Sequence, residues 1–311
     1  MRLGVLVLVV GCASSSGALQ APPPVACPSG VAAWVDGTSY PTVQAALDAA
    51  SPAGPARVDV CPGTWVENLE LPFVGDWTIA GVGPARPALD GGLAGPVLSS
   101  EDSALTLVDL VLQNGRNDES GGGLWLAGGS LEALRVDLRD NVAGEGGGAA
   151  IYDADVTLSG CRFERNVADW GESGGGGLLV TQLHAGHQAT IADTTFVANE
   201  AIVGGAGGGA RLTAFADAGV AMDRVLFEAN VADAGAAMFA QAEDGVLAAR
   251  LARAVVRRHD NGQTGEGTLY TFASPGAAVS LDVVGGQIAD NVARASPALL
   301  AIGLPSGSPG E

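Results

Sequence analysis

Apolar and polar residues alternate along most of the chain, and the alternation recurs in blocks 25 to 33 residues apart. Within a block, the apolar positions stand two apart, then three apart, then two apart. The first two blocks place these positions at Leu131, Ala133, Val136 and Leu138, and at Val156, Leu158, Cys161 and Phe163. A spacing of two is typical of a strand with one buried face, and a spacing of three indicates a bend. The pattern predicts short strands in stacked coils that together bury aliphatic columns.

An asparagine follows the last apolar position of each block by three residues. These asparagines are Asn141, Asn166, Asn199, Asn230 and Asn291, with Asn261 as a degraded copy. A buried amide needs hydrogen-bond partners, so we expect a ladder of inward-pointing amides that bond to the backbone and to one another.

A polar loop is expected to turn outward after each asparagine. The chain then re-enters through glycine runs such as 174–177. Glycine supplies positive φ and lets backbones approach closely at a tight corner. On this interpretation, the loops present the variable recognition surface.

The variable block length excludes a helical solenoid of fixed units and fits a β-helix with loop insertions. One amphipathic helix is predicted from Thr42 to Ala50. The F-x-x-N element with its GGA-like re-entry resembles the repeats of chlamydial-type polymorphic outer membrane proteins, within the pectin-lyase-like superfamily. The resemblance implies an all-β, single-stranded right-handed parallel β-helix over residues 32–303, with a short amino-terminal capping helix.

The amino-acid composition and the net charge limit the classes of partner that the protein can bind. Aromatic residues make up only 5% of the chain, so the core must be aliphatic and built from small side chains. All 15 basic residues are Arg, and 34 acidic residues bring the formal net charge to -19. Such a balance repels nucleic-acid phosphates and anionic lipid. We expect no nucleic-acid partner and a monomeric protein.

The first residues have the pattern of an export signal. Arg2 precedes an apolar run that ends before Cys12, and VVGC is similar to a bacterial lipobox. This predicts a signal peptide over 1–11, a lipid on Cys12, a Ser/Pro-rich tether over 12–31 and a flexible tail over 304–311. The lipid would anchor the protein at the bacterial outer membrane or cell surface and be its only membrane contact. The alternative is ordinary cleavage after Ala18 and a secreted protein.

Two further cysteines fit an oxidising compartment. Cys27 and Cys61 each precede proline near the start of the repeats, and a disulfide between them is predicted. Cys161 occupies an apolar column, so we expect it to be a small buried side chain.

Two residue pairs are candidate metal ligands. Asp153 and Asp155 stand two apart in IYDADV and project to one side of a strand, which suits Ca²⁺ if further oxygens converge. The alternative is a solvated outer face, with no cofactor. His184 and His187 could bind a metal from a loop, or could be solvated loop side chains.

Arg257 and Asp260 are the candidate catalytic residues. They lie in the degraded block, and a catalytic Arg beside an Asp fits lyase or esterase chemistry. The alternative is a distorted coil, in which either the register shifts or the coil bulges, with charges on its surface. The motifs that polygalacturonase-type enzymes share are absent from the sequence.

Trp125 and Trp170 are candidate ligand contacts. Trp125 alternates with two leucines and is expected to face outward, and Trp170 lies in a polar loop. Exposed aromatic rings can stack on sugars, or they can pack on neighbouring coils. The leading interpretation is a non-enzymatic structural or adhesive module that binds a glycan or a surface protein. The alternative is a polysaccharide lyase or hydrolase that acts on acidic glycans.

Overall fold

The computed structural model describes residues 27–51, 53–170, 174–202, 204–260, 267–291 and 300–303. Over these ranges the chain winds as a right-handed parallel β-helix with three long sheets along the rod. The predicted fold class is confirmed. Residues 1–26, which contain Cys12, and the tail over 304–311 lie outside the described ranges.

The coils contribute parallel strands to the three long sheets, and an antiparallel hairpin of Ala33–Val35 and Thr38–Tyr40 extends sheet 1 at its amino-terminal end. Sheet 1 contains Thr38–Tyr40, Ala33–Val35, Ala56–Val60, Asp76–Gly81, Ala104–Val108, Ser130–Leu134, Asp155–Ser159, Gln188–Ala192, Ala218–Asp223, Val246–Ala252 and Ala278–Val284. Sheet 2 contains Thr64–Val66, Ala88–Asp90, Val111–Gln113, Asp137–Arg139, Arg162–Glu164, Thr195–Val197, Leu226–Glu228, Val255–Arg257 and Gln287–Ala289. Sheet 3 contains Leu69–Glu70, Leu98–Glu101, Leu124–Ala127, Ala149–Tyr152, Leu178–Gln182, Ala210–Ala214, Met238–Ala242, Leu269–Ala273 and Leu300–Gly303.

The apolar columns of the sequence form the core. Successive coils pair in register, so that Leu131 stands opposite Val156 and Phe163 opposite Phe196. The rings of Phe163, Phe196 and Phe227 stack with centroids 4.9 and 4.8 Å apart. Each of these side chains is at most 3% exposed. The columns are therefore buried as the periodicity predicts, because each coil covers the apolar face of the one before it.

A helix closes the amino-terminal end of the rod. It spans Val43–Ala49, close to the predicted bounds, and the Thr42 hydroxyl caps its first turn. The Glu67 carboxylate accepts hydrogen bonds from the backbone N–H groups of Val43 and Gln44, at 2.8 and 2.9 Å. These bonds satisfy donors that a helix start leaves unpaired, and they fix the helix on the first coil. The helix buries Val43, Ala46 and Leu47.

A disulfide joins Cys27 to Cys61, with the two Cα atoms 5.7 Å apart. Cys61 also donates its backbone N–H to the carbonyl of Ala32, at 2.8 Å. The segment before the first strand is thus held against the first coil. Cys161 is a free, buried thiol in the core, as its column predicts, and burial raises its pKa.

The repeated asparagines form a continuous ladder. The amide Nδ2 of Asn199 donates to Oδ1 of Asn230 at 2.9 Å and to the carbonyl of Phe163 at 3.0 Å. Its Oδ1 accepts from the backbone and side-chain nitrogens of Asn166, at 3.1 and 3.0 Å. Four ladder asparagines are fully buried: Asn141, Asn166, Asn199 and Asn230. Each has its buried amide bonded along the rod.

The degraded coil departs from the sequence alignment. His259, not Asn261, follows Asn230 in the ladder. The ring Nδ1 of His259 lies 3.1 Å from the backbone nitrogen of Asn230, and the backbone N–H of His259 donates to Oδ1 of Asn291 at 3.1 Å. Val256 stands opposite Phe227. The alignment on Asn261 places Arg258 at this position, so the register of the coil differs from that alignment by two residues. Asn261 lies outside the described residues.

The segments after the asparagines are more ordered than the expected loops. A fourth parallel sheet, the side sheet, contains Arg116–Ser120, Val142–Glu145, Val167–Ala168 and Glu200–Ala201. Ala168 and Ala201 of this sheet form a separate buried cluster with Ala232 and Ala236. The prediction of a polar loop directly after the asparagine is wrong for Asn141, Asn166 and Asn199, because a strand of the side sheet follows each of them.

The glycine runs serve two functions at the re-entry to sheet 3. Gly146 and Gly175 have φ of 60° and 72°, a left-handed conformation that favours glycine. A Cβ added to Gly148 would lie 2.4 Å from the carbonyl oxygen of Gly177 in the next coil. The coils stack too closely here for any side chain.

Candidate functional site

The outer face of sheet 3 carries a column of three outward-facing residues near the amino-terminal end. Glu70 stands opposite Ser99, and Ser99 stands opposite Trp125, on three successive coils. Leu124 and Leu126 are buried, and Trp125 between them is half-buried and faces outward, as its alternation predicts. The register of the sheet therefore places an aromatic ring, a hydroxyl and a carboxylate side by side.

Two adjoining clefts lie along this column. The first has a volume of about 190 Å³ and is lined by Glu70, Leu71, Phe73, Val74, Ser99, Ser100, Glu101 and Trp125. The second has a volume of about 410 Å³ and is lined by Asn68, Leu69, Glu70, Pro96, Ser99, Asn117, Glu119, Ser120 and Trp125. They share Glu70, Ser99 and Trp125, so the two clefts form one groove, which we call the Trp125 groove.

The edge strand of the side sheet, Arg116–Ser120, forms one wall of the second cleft. Asn117 fixes the shape of this strand, because its Nδ2 donates to the carbonyl of Ser120 at 2.6 Å and its Oδ1 accepts from the N–H of Glu119 at 3.0 Å. The wall is thereby held in one conformation before a ligand arrives, which lowers the entropic cost of binding.

The charge of the groove differs from that of the surrounding surface. Elsewhere, arginines pair with carboxylates of the preceding coil, as in Arg135 with Asp109 and Arg165 with Asp140, both at 2.7 Å. The hydrogen bonds that Arg135 donates to the Asp109 carboxylate raise the pKa of Arg135. The Trp125 groove is lined by three carboxylates, those of Glu70, Glu101 and Glu119, and by no basic residue.

The two candidate metal pairs come together. The His184 ring contacts the carboxylate of Asp153, and His187 lies 3.4 Å from Asp153 and 3.5 Å from Asp155. Burial acts to raise the pKa of Asp153, but the hydrogen bonds from the ring and backbone of His184 outweigh it and lower the pKa. Among the described residues, no group of three or more His, Cys, Asp and Glu is arranged to hold a metal ion.

Asp153 instead anchors the loop that carries the histidines. One of its oxygens accepts from the backbone N–H groups of Leu183 and His184, at 3.3 and 2.9 Å. Asp155 accepts from the N–H of Gln188 at 2.9 Å. These contacts explain both carboxylates as loop supports, and Ca²⁺ binding here stays a prediction.

The candidate catalytic residues lie in the coil of His259. Arg257 and Arg258 both pair with Glu228, at 2.9 and 2.7 Å. The backbone of Asp260, one residue after the ladder position of His259, forms an isolated parallel β-bridge with Val231. Arg257 is thus engaged by the neighbouring coil, in the same way as the other surface arginines. A catalytic role for Arg257 and Asp260 stays a prediction.

A second polar cluster, on sheet 3, was not predicted from the sequence. The Tyr152 hydroxyl donates to Glu145 at 2.6 Å, and burial raises its pKa. On the next coils, Arg211 donates to Gln241 at 3.1 Å and lies over the Phe239 ring, 5.5 Å from its centroid. The outward alternation along each sheet 3 strand is the signal that could have found these residues. These contacts tie the side sheet and the outer face of sheet 3 together.

Trp170, the other candidate aromatic, is 47% exposed and lies on the side sheet. Its backbone N–H donates to the carbonyl of Gly144 at 3.0 Å, and its indole covers that glycine. It therefore packs on a neighbouring coil, away from the residues that line the Trp125 groove.

Comparison with protein-family models, curated proteins and solved structures gives no match. Within the described ranges, no helix has the length and apolar character needed to span a bilayer.

Proposed function

We propose that the chain is a non-enzymatic adhesive module that binds a glycan in the Trp125 groove. The observation that carries this proposal is the column of Glu70, Ser99 and Trp125, which joins two clefts into one groove on an outer face. The outward-facing indole offers a flat apolar face for a sugar ring, and the flanking carboxylate and hydroxyl oxygens accept hydrogen bonds from sugar hydroxyls.

The size of the groove supports a ligand larger than a single small molecule. The second cleft, at about 410 Å³, falls within the range of ~300 to 1,000 Å³ usual for ligand sites. The first cleft continues from it past Trp125. A chain of a few sugar units matches such an elongated site.

The surface residues support ligand binding without catalysis better than they support an enzyme. The arginine of the candidate catalytic pair, Arg257, is committed to an ion pair with Glu228. A net charge of -19 also repels the acidic glycans that a polysaccharide lyase or hydrolase of this kind would cleave. Cleavage of an oligosaccharide would support the enzymatic alternative.

The experiment uses the full chain with Cys12→Ser, which blocks lipid attachment, and a panel of neutral, acidic and amino-sugar oligosaccharides. Titration calorimetry measures binding, and reducing-end release measures cleavage. We expect binding without cleavage, and we expect Trp125→Ala to abolish it. Trp170→Ala removes an indole outside the groove and should leave the affinity unchanged. Cleavage of any oligosaccharide would refute the non-enzymatic proposal, and binding that survives Trp125→Ala would refute the site.

We further propose that Cys12 carries a lipid that anchors the module at the bacterial outer membrane or cell surface. The VVGC sequence supports this assignment. Metabolic labelling with a fatty acid should mark the wild-type chain and leave Cys12→Ser unlabelled. Label on both chains, or on neither, would contradict the anchor.

A further inference from the structure

We infer that the Trp125 groove continues into a third cleft, and that the three clefts together bind an internal stretch of an uncharged, linear polysaccharide. This inference rests on the proposed glycan-binding function and names its ligand class. It adds Leu93, at the far end of the third cleft, to the residues that contact the ligand.

The third cleft adjoins the second. It has a volume of about 540 Å³ and shares Pro96, Asn117 and Glu119 with the second cleft. The second cleft shares Trp125 with the first, so the three clefts form one continuous row, which we call the extended groove. The other residues that line the third cleft are Leu93, Ala94, Gly95, Arg116 and Asp118.

The extended groove runs along the strands and across the axis of the rod. On one coil, the lining residues advance from 93–96 in the third cleft, through Ser99 in the second, to 99–101 in the first. On the next coil they advance in the same direction, from 116–119 to Trp125. The strands Arg116–Ser120 and Leu124–Ala127 have five and four residues, so at ~3.3 Å for each residue the groove is up to roughly 30 Å long, which matches about six sugar rings.

Leu93 is the most unusual residue of the extended groove. Its φ is 57°, and the other non-glycine residues with positive φ in the described part of the chain are Asp, Asn, Arg and Ala. Its backbone N–H donates to the carbonyl of Asn114 at 2.8 Å, which holds this conformation. Bulky side chains disfavour the left-handed region, and a leucine that is 58% exposed gains little from burial. The fold does not require a leucine here, whereas an apolar contact with a ligand explains it.

Apolar side chains recur along the extended groove. Val74 lines the first cleft, Trp125 lines the first and second, and Leu93 lines the third. The apolar C–H faces of sugar rings pack on such side chains, so this series suits successive rings of one chain. Val74 and Leu93 are both more than half exposed, so neither end of the groove is walled off. A polymer can therefore lie in the groove with both of its ends outside.

The charges of the extended groove disfavour an acidic polysaccharide. Its one basic lining residue, Arg116, lies 3.4 Å from Asp118 and 3.7 Å from Asp169 and is engaged by both. A polyanion would meet like charges from carboxylates in all three clefts. Carboxylate oxygens accept hydrogen bonds from the hydroxyl groups of a neutral sugar, so the ligand needs no charge of its own. The carboxylates that line the groove are Glu70, Glu101, Asp118 and Glu119.

The test measures affinity as a function of ligand length. Calorimetry uses the Cys12→Ser chain with uncharged linear oligosaccharides of glucose, xylose and mannose. For the sugar that binds, we expect the affinity to rise with length up to about six units and then to stay constant. Oligosaccharides with both ends chemically blocked should bind as well as the unblocked ones. A polyuronate of the same length should bind at least about tenfold more weakly.

Leu93→Asn makes the test specific. Asparagine tolerates the left-handed conformation, so the melting temperature should be unchanged or higher. The lost apolar contact should weaken the six-unit ligand about tenfold and leave a three-unit ligand, held at Trp125, unchanged. Leu183→Asn replaces another exposed leucine, one that lines none of the three clefts, and should change neither affinity. Trp125→Ala should abolish binding at every length.

The outcomes separate this inference from the proposed function. Equal affinity for three-unit and six-unit ligands, or a six-unit affinity that Leu93→Asn leaves unchanged, would overturn the third cleft as part of the site and leave glycan binding at Trp125 intact. Loss of binding on blocking the ends would overturn the internal stretch. Polyuronate binding as tight as that of the neutral chain would overturn the ligand class. No binding of any oligosaccharide would refute the proposed function itself.

Discussion

His259 should make the protein sensitive to mild acid, and His259→Asn should remove that sensitivity. The imidazole is 1% exposed and occupies a ladder position that asparagine fills in the neighbouring coils. Its Nε2 has no hydrogen-bond partner among the described residues. Burial lowers the pKa of His259 from 6.5 to about 4, against the opposing effects of the Asn230 and Phe227 carbonyls and the Glu228 carboxylate.

The lowered pKa of His259 makes the folded protein less stable as the pH falls. The folded pKa lies below the unfolded value, so the unfolded chain binds more protons between pH 6.5 and about 4. Stability is therefore complete above pH 6.5 and is lost as the pH falls toward 4. With ~1.36 kcal/mol for each pKa unit, the loss between pH 7 and pH 5 is about 2 kcal/mol from this one side chain.

The assay is urea unfolding at pH 7 and pH 5, with the free energy of unfolding obtained by linear extrapolation. Carboxylates titrate in both proteins and cancel in the comparison. The difference between the two pH values should be about 2 kcal/mol smaller for His259→Asn than for wild type. His259→Gln should also lose the pH dependence, although its longer side chain does not fit the ladder as asparagine does. A wild-type pH dependence that persists in both variants would refute the reasoning.

Three further predictions concern stability. Asn199→Leu leaves the Phe163 carbonyl and two Asn166 donors unpaired, so at ~1 to 3 kcal/mol each it should cost about 5 kcal/mol in urea unfolding. A free energy of unfolding equal to that of the wild type would contradict the ladder. Gly148→Ala should lower the melting temperature, because its Cβ meets a carbonyl at 2.4 Å, whereas Gly54→Ala, with open space, should not. Reducing the disulfide should cost ~3 to 4 kcal/mol for a loop of 34 residues, and an unchanged unfolding midpoint would contradict this.

The sequence predicts the repetitive parts of the structure well. The period of two along each strand and the recurring asparagine locate the core columns and the ladder, because stacking repeats the same environment in every coil. His259 was missed because alignment on asparagine selected Asn261, and only the pairing of Val256 with Phe227 reveals the register.

The candidate site was only half predictable. The outward position of Trp125 follows from its alternation with leucines, but its neighbours do not. Glu70 and Trp125 are brought onto one column by the lengths of two intervening coils, and those lengths vary. The side sheet was missed because its strands are only two to five residues long and consist largely of Gly, Ala and polar residues, which carry little strand signal.

The disulfide between Cys27 and Cys61 also determines how the rod bears mechanical load. A pull from the amino-terminal side of Cys27 passes through the sulfur bridge directly to Cys61. The segment between Cys27 and Cys61, a sequence separation of 34 residues that includes the helix Val43–Ala49, is bypassed and carries no tension. Without the bridge the same pull could peel this segment away and lengthen the chain by roughly 110 Å. With the bridge, force enters at the first coils, and the segment that contains the helix stays closed under load.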